Sequence, residues 1–151
     1  MHAGFRSASR ERLAEEPRVL VVRRDHPLAD REHVSIDETN NEGFVMLTGA
    51  SRDVHDGWLV DPRPDGSHPR VVATSDDIEG IIELCAAGVG VNIAAASAAT
   101  HFSRPGLVYV PIDDVPPVLI DVWWRADETS RDVALFIAVA REHYRRSRAE
   151  S

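Results

Sequence analysis

The chain has 151 residues, 43% of them hydrophobic and 28% charged. That is about one domain's worth of chain, or one and a half small lobes, with enough apolar residues to bury a real core. Its formal charge of −8 excludes nucleic-acid binding over a broad surface of these residues, which needs a basic footprint.

Taken in order, residues 1–16 are polar and rich in Arg and Glu, and they read as a frayed start or a short helix. Val19 to Val22 is a continuous apolar run, as expected of a buried strand. Pro27 keeps His26 out of helical geometry and ends that strand in a turn, where His26 is expected to make a hydrogen bond. Ser35 to Asn41 fits one helical turn capped at Ser35, and Phe44 to Leu47 a short strand closed by Thr48-Gly49-Ala50-Ser51. Val54, Trp58 and Leu59 have helical spacing, so a short helix with Trp58 turned inward is expected over 51–60. A turn-rich loop, Asp61-Pro62-Arg63-Pro64-Asp65-Gly66-Ser67, follows.

Residues 70–97 form the most legible stretch. Arg70 to Thr74 is β-branched and strand-like. Asp76 followed by Glu79 has the form of a capping box. Ile78, Ile81, Ile82 and Cys85 recur at i, i+3, i+4 and i+7, one apolar helix face. Gly88 stands where a helix ends in a left-handed residue, and Val89 to Ala95 reads as another strand. Strand, helix and strand make a βαβ unit with parallel strands. Beyond it come a helix over 95–102, strands at Leu107–Val110 and Val118–Trp124, and a last helix over 130–148. Val133, Phe136, Ile137, Ala140 and Tyr144 lie on one stripe of that helix, which has an acidic start and a basic end. Around six strands and four or five helices, in alternation, give an α/β fold.

Little of this carries catalytic chemistry. Cys85 is the only cysteine, so no disulfide framework exists, and on an apolar helix face it reads as a small buried hydrophobe. The histidines at 26, 33, 55, 68, 101 and 143 are isolated, without HxH, HExxH or Cys partners, so no metal is expected. No GxSxG or Walker-type sequence occurs, and Gly88-x-Gly90 follows a helix where a dinucleotide loop would precede one. The expectation is a protein that is not an enzyme and holds no cofactor. The N-terminus lacks the apolar core of a signal peptide, and no apolar run approaches the ~20 residues of a membrane span, so a cytoplasmic protein is expected.

What remains is a pair of strand ends. Thr48-Gly49-Ala50-Ser51 and Thr74-Ser75-Asp76 each follow a strand and open a helix. In open α/β sheets, ligands bind outside the carboxyl ends of strands, where helix N-termini offer N–H groups. Small hydroxyl residues and a glycine there suit a small organic anion. The alternative is that Ser51, Ser75 and Asp76 only cap their own helices.

Several ordered segments then resemble one family. EPRVLVVRRDHPLA (16–29) looks like the strand and HPLA pattern of the effector-binding domain of LysR-type transcriptional regulators. VSIDE, GFVMLTG, SDDIEGIIELCAAGVGVNIAAASAA, RPGLVYVPIDDVPP and WWRADETSRDVALFIAVARE follow in the family's order and spacing, from about Leu13 to Glu142. The loop DGWLVDPRPDGSHPRV is similar to versions of the domain found in actinobacteria.

The resemblance implies a type 2 periplasmic-binding-protein-like α/β fold with an effector between two lobes. It implies one complete lobe over 25–97 and part of another from 1–24 and 98–151. Thr48 to Ser51 and Thr74 to Asp76 would line the complete lobe's side of the cleft. Asn92 stands where the family more often has a small apolar residue, and Ala95-Ala96-Ser97 where it has Pro-Ala-Ser; both bear on the pocket's shape. The family's winged helix-turn-helix, linker helix and first half of lobe one have no counterpart in these residues. Apolar faces of the partial lobe are therefore expected to be covered, by a homodimer, an exchanged segment or a rearrangement of residues 1–16. The function implied is that of a small-molecule sensing domain whose contact with DNA runs through a helix-turn-helix outside this sequence. A solute-binding protein of the same fold and an oligomerising remnant without a ligand are the alternatives.

Overall fold

The computed structural model describes residues 8–149. In chain order its elements are β1 (Ala8–Glu16), β2 (Arg18–Arg23), a 3-10 turn (Ile36–Thr39), β3 (Gly43–Leu47), α1 (Arg52–Leu59) and β4 (Arg70–Ser75). There follow α2 (Ile78–Ala86), β5 (Asn92–Ala95), α3 (Ala98–His101), β6 (Leu107–Ile112), β7 (Val118–Arg125) and α4 (Arg131–Ala149). Contacts group Pro17–Pro117 into one compact unit and the flanking segments into another.

The Pro17–Pro117 unit is a mixed sheet with helices on both faces. β3 and β4 pair in parallel, with Leu47 opposite Ser75. β2 lies between β5 and β6 and is antiparallel to both. A parallel bridge between Phe44 and Val91 joins the two groups, through Val45 N–H to Val91 O and Val91 N–H to Gly43 O, both 2.8 Å. The order across the sheet is thus β4, β3, β5, β2, β6. β2 and β6 continue the sheet that contains β5, so both strands fall within the Pro17–Pro117 unit.

The unbroken apolar run of β2 follows from covering on both sides. Leu20 and Val22 pack with Phe44, Leu59, Ile93 and Val110 on the face that carries α1. Val21 packs with Val45, Ile81, Ile82 and Cys85 beneath α2. Cys85 is fully buried, and desolvation pushes its thiol up to about 12, which keeps it neutral, as the small hydrophobe expected. Gly88 ends α2 in the left-handed region at φ +76°.

Gly90 is required by a close approach: a Cβ there would stand 2.5 Å from the Gly43 carbonyl oxygen and 3.0 Å from Val72 Cγ2. His26 behaves as expected, its Nδ1 accepting from Leu28 N–H at 3.2 Å, and Ser35 precedes the 3-10 turn, its N–H donating to Glu38 at 2.8 Å. Trp58 is half-buried against the core, while Leu59 is the α1 residue buried outright.

One reading of this unit is corrected. The cap of α2 is Asp77, whose carboxylate accepts from Gly80 N–H at 2.7 Å; the Asp76–Glu79 capping box does not form. Two adjacent aspartates are equivalent in sequence, but Asp77 is the extended residue (φ −146°) immediately before the helix. Glu79 instead pairs with Arg104 at 2.7 Å, and the same guanidinium holds Glu83 at 2.7 Å. The loop after α1 is rich in turns and bends as expected, yet it sends one side chain into the interior. Arg63 is only 2% exposed, its guanidinium lies over the Phe44 ring, 5.1 Å from the centroid, and it finds no hydrogen-bond acceptor among the described residues.

The flanking segments form the second unit. Residues 8–16, expected to be frayed or helical, are strand β1, antiparallel to β7 with Glu16 opposite Val118 and Ala8 opposite Arg125. Cross-strand charge explains why so polar a segment pairs: Arg12 binds Asp121, and Arg10 lies over the Trp123 ring. Residues 1–7, the rest of that expected segment, lie outside the described residues. α4 packs on β1, and Arg141 clamps Glu11 at 2.6 and 2.7 Å. Ile137 is buried, but Phe136, expected on the same stripe, is 63% exposed beside Leu135 and Val139. With Leu119 and Trp123 also exposed, this unit carries five of the eight large exposed hydrophobics among the described residues.

Two substitutions test this account. Gly90→Ala should destabilise the protein by roughly 1–3 kcal/mol through overpacking, whereas Gly57→Ala, in open space on α1, should stabilise it by about 0.5–1 kcal/mol. Urea-denaturation midpoints distinguish them. In the same assay Asp77→Ala should cost about 0.5–2 kcal/mol, and Asp76→Ala should stay within about 0.5 kcal/mol of the parent. Equal costs would refute the assignment of the cap.

Candidate functional site

Parallel pairing of β3 with β4 carries Thr48–Ser51 and Thr74–Asp76 to one edge of the sheet. Thr48 N–H donates to Ser75 O at 2.8 Å, so the two segments are in direct contact. α1 and α2 both begin at this edge, capped by Ser51, whose Oγ accepts from Val54 N–H at 3.4 Å, and by Asp77. The two segments thus share one rim with two helix N-termini, the arrangement that favours an anion.

Within the rim the residues differ in what they can offer. Thr48, Gly49, Ser51, Thr74 and Asp76 are exposed. Gly49 adopts φ +70° with nothing within 4 Å of the space a Cβ would take, which leaves room beside the backbone. Ala50 is half-buried and packs against the core. Ser75 is turned the other way along the pleat from Thr74, and a Cβ on Gly80 would strike its hydroxyl at 2.0 Å. Gly80 therefore makes room for Ser75 in the first turn of α2. Sequence reading missed this role of Gly80, because a glycine inside an apolar helix pattern gives no sign of what lies against it.

Asn92 stands apart from the other seven. It is buried in the sheet, where its Nδ2–H donates to Val45 O at 2.7 Å. β5 leaves β3 after Val91 to pair with β2, and the Asn92 amide takes over the carbonyl of β3 at the point of divergence. A small apolar residue there would leave that carbonyl without this donor.

A cavity of about 440 Å³ lies at the opposite ends of the same strands, where β3 and β4 begin, and contains none of the eight expected residues. Within it Arg23 holds Asp25 through two bonds of 2.5 Å, and His26 Nε2 lies 3.2 Å from Glu42. No helix of the described residues is long and apolar enough to cross a membrane.

Comparison with known proteins bears on this geometry. Residues 5–145 match the family described as LysR substrate binding domain. The HTH-type transcriptional regulator TtuA of Agrobacterium vitis is 34% identical over 101 residues, 66% of this chain and 33% of that protein. The chain thus spans about a third of that relative's length. The effector binding domain of BenM with its effector benzoate superposes with a TM-score of 0.76 at 18% identity, covering 97% of this chain and 68% of that one. The effector binding domain of QuiR in complex with shikimate gives 0.74 at 15% identity, covering 97% and 69%. The fold is the periplasmic-binding-protein-like type 2 fold of such domains, and the chain belongs to the LysR substrate binding domain family.

Proposed function

We propose that this chain is the effector-sensing part of a LysR-type transcriptional regulator and that its rim at Thr48–Ser51 and Thr74–Asp76 holds a small organic acid. The observation that carries this reading is the Thr48 N–H to Ser75 O bond, which sets two hydroxyl-bearing segments and two helix N-termini side by side. Helix N-termini favour negative charge, and the ligands named for the BenM and QuiR domains, benzoate and shikimate, are both carboxylates. In this reading the sensing lobe is built on 25–97 and extended by β2 and β6. Asn92 shapes it from within the sheet, and the segments flanking the Pro17–Pro117 unit belong to the other lobe. The protein works in the cytoplasm without catalysing a reaction, and it reaches DNA through a helix-turn-helix domain that is not among these residues.

The test is a thermal-shift screen of benzoate, shikimate and related carboxylates, each beside its uncharged amide. A ligand at about 100 times its Kd adds ~2.7 kcal/mol, which at this size raises Tm by roughly 5–10 °C. Thr48→Val and Thr74→Val should abolish the shift while leaving the unliganded Tm near that of the parent. Absence of any carboxylate-specific shift, or the same shift in both variants, would count against the rim.

We further propose that the chain self-associates through the apolar face of the second unit. Leu135, Phe136 and Val139 on α4 are each more than 60% exposed, a concentration of large apolar side chains that soluble monomers rarely display. Sedimentation equilibrium should give a dimer, and Phe136→Glu together with Val139→Glu should shift it to monomer. A parent protein that is monomeric at tens of micromolar refutes this reading.

A further inference from the structure

The histidines look isolated in sequence, yet the turn after α1 brings two of them together with two aspartates. His55 and Asp56 lie in the last turns of α1, and Asp61 follows the helix end. One ligand atom each of His55, Asp56 and Asp61 lies within 4.8 Å of the other two. The chain then folds back so that His68 Nδ1 reaches Asp61 Oδ1 at 2.5 Å.

We propose that His55, Asp56, Asp61 and His68 form a binding site for a divalent transition metal, Zn²⁺ being the ion that fits the donor set best. Two imidazoles and two carboxylates are ligands Zn²⁺ accepts in tetrahedral sites. Metal–ligand bonds near 2.0–2.2 Å set neighbouring donors roughly 3.3 Å apart in such a site. His55 Nδ1 and Asp56 Oδ1 are already 3.4 Å apart, Asp61 lies within 4.8 Å of both, and His68, which lies outside that group, would swing in from its contact with Asp61.

The backbone holds these residues in place. Asp61 N–H donates to Asp56 O at 2.8 Å, and Arg63 and Gly66 close the loop through Arg63 N–H to Ser67 O and Gly66 N–H to Arg63 O, both 2.9 Å. Two carboxylates offset the charge of the ion. Of the nearby cations, Arg52 sits 3.4 Å from the other carboxylate oxygen of Asp56 with its side chain 85% exposed, free to swing into water. Arg63 feels the Asp61 charge but lies over Phe44. The site shares no residue with the rim, although His55 stands one helical turn, about 6 Å of rise, beyond Ser51.

The experiment is calorimetric titration of the chelator-stripped full chain with ZnCl₂, together with the visible spectrum of the Co²⁺ form. Binding of one equivalent is expected, with the intense visible bands of four-coordinate Co²⁺. Asp61→Asn and His68→Ala should each weaken binding at least about tenfold. Asp61→Asn keeps the side chain's shape and His68 is largely exposed, so both variants are expected to fold, which their metal-free Tm verifies. His33→Ala and His143→Ala should leave the affinity unchanged. Failure of the parent to bind Zn²⁺ at micromolar concentration, or an affinity in Asp61→Asn and His68→Ala equal to the parent's, would overturn the proposal.

Discussion

The two hydrogen bonds between Val91 and β3 are the constraint on which the rest of the larger unit depends. On one side of them lie β3 and β4, with the rim at their carboxyl ends; on the other lie β5, β2 and β6. Without this seam there would be two small sheets, each too narrow to cover a helix. With it, one sheet presents two apolar faces, and α1 and α2 each find a partner. Gly90 is what allows the approach, because its hydrogen faces a carbonyl oxygen where a methyl group would collide. Asn92 then closes the seam with its side-chain amide. A glycine and an asparagine, both poor strand residues by propensity, thus occupy the positions that hold the sheet together.

That arrangement also accounts for what the sequence disclosed and what it concealed. Val19–Val22 and Phe44–Leu47 were legible because both sides of each strand are covered, so neither shows the alternation that mixes polar with apolar residues. The helix from Ile78 was legible in its buried face, but its cap lay one residue along, since a pair of aspartates offers two equivalent carboxylates and only backbone geometry selects between them. β1 was concealed because its sequence, ASRERLAEE, favours a helix locally. It becomes a strand through partners more than a hundred residues away, among them Asp121, which answers Arg12. Phe136 was misplaced for a related reason: helical spacing sets it on the stripe with Val133, Ile137 and Ala140, whereas the buried face runs through Ile137 and the Arg141–Glu11 clamp.

The rim itself was largely present in the sequence as two short polar segments after strands. Their contact was not, because it depends on β3 and β4 being neighbours in parallel register. The inward turn of Ser75 depends on a helix packed over it, and no spacing rule contains that information. The histidine and aspartate cluster was hidden in the same way. Intervals of one, five and seven residues match no ligand motif, and only a helix end followed by a returning loop brings them into reach.

Arg63 gives the α1–β4 loop a character its composition conceals. A loop of Asp, Pro and Gly usually behaves as a tether whose length and sequence can be changed freely. Here its midpoint is plugged into the core, with a guanidinium stacked flat on Phe44. Lysine would not be equivalent there, since an ammonium cannot stack as a plane and loses its proton far more readily when buried. The loop therefore belongs to the folded body of the domain: an inserted segment or a new chain terminus between residues 60 and 69 would disturb the interior, however permissive the surface composition looks.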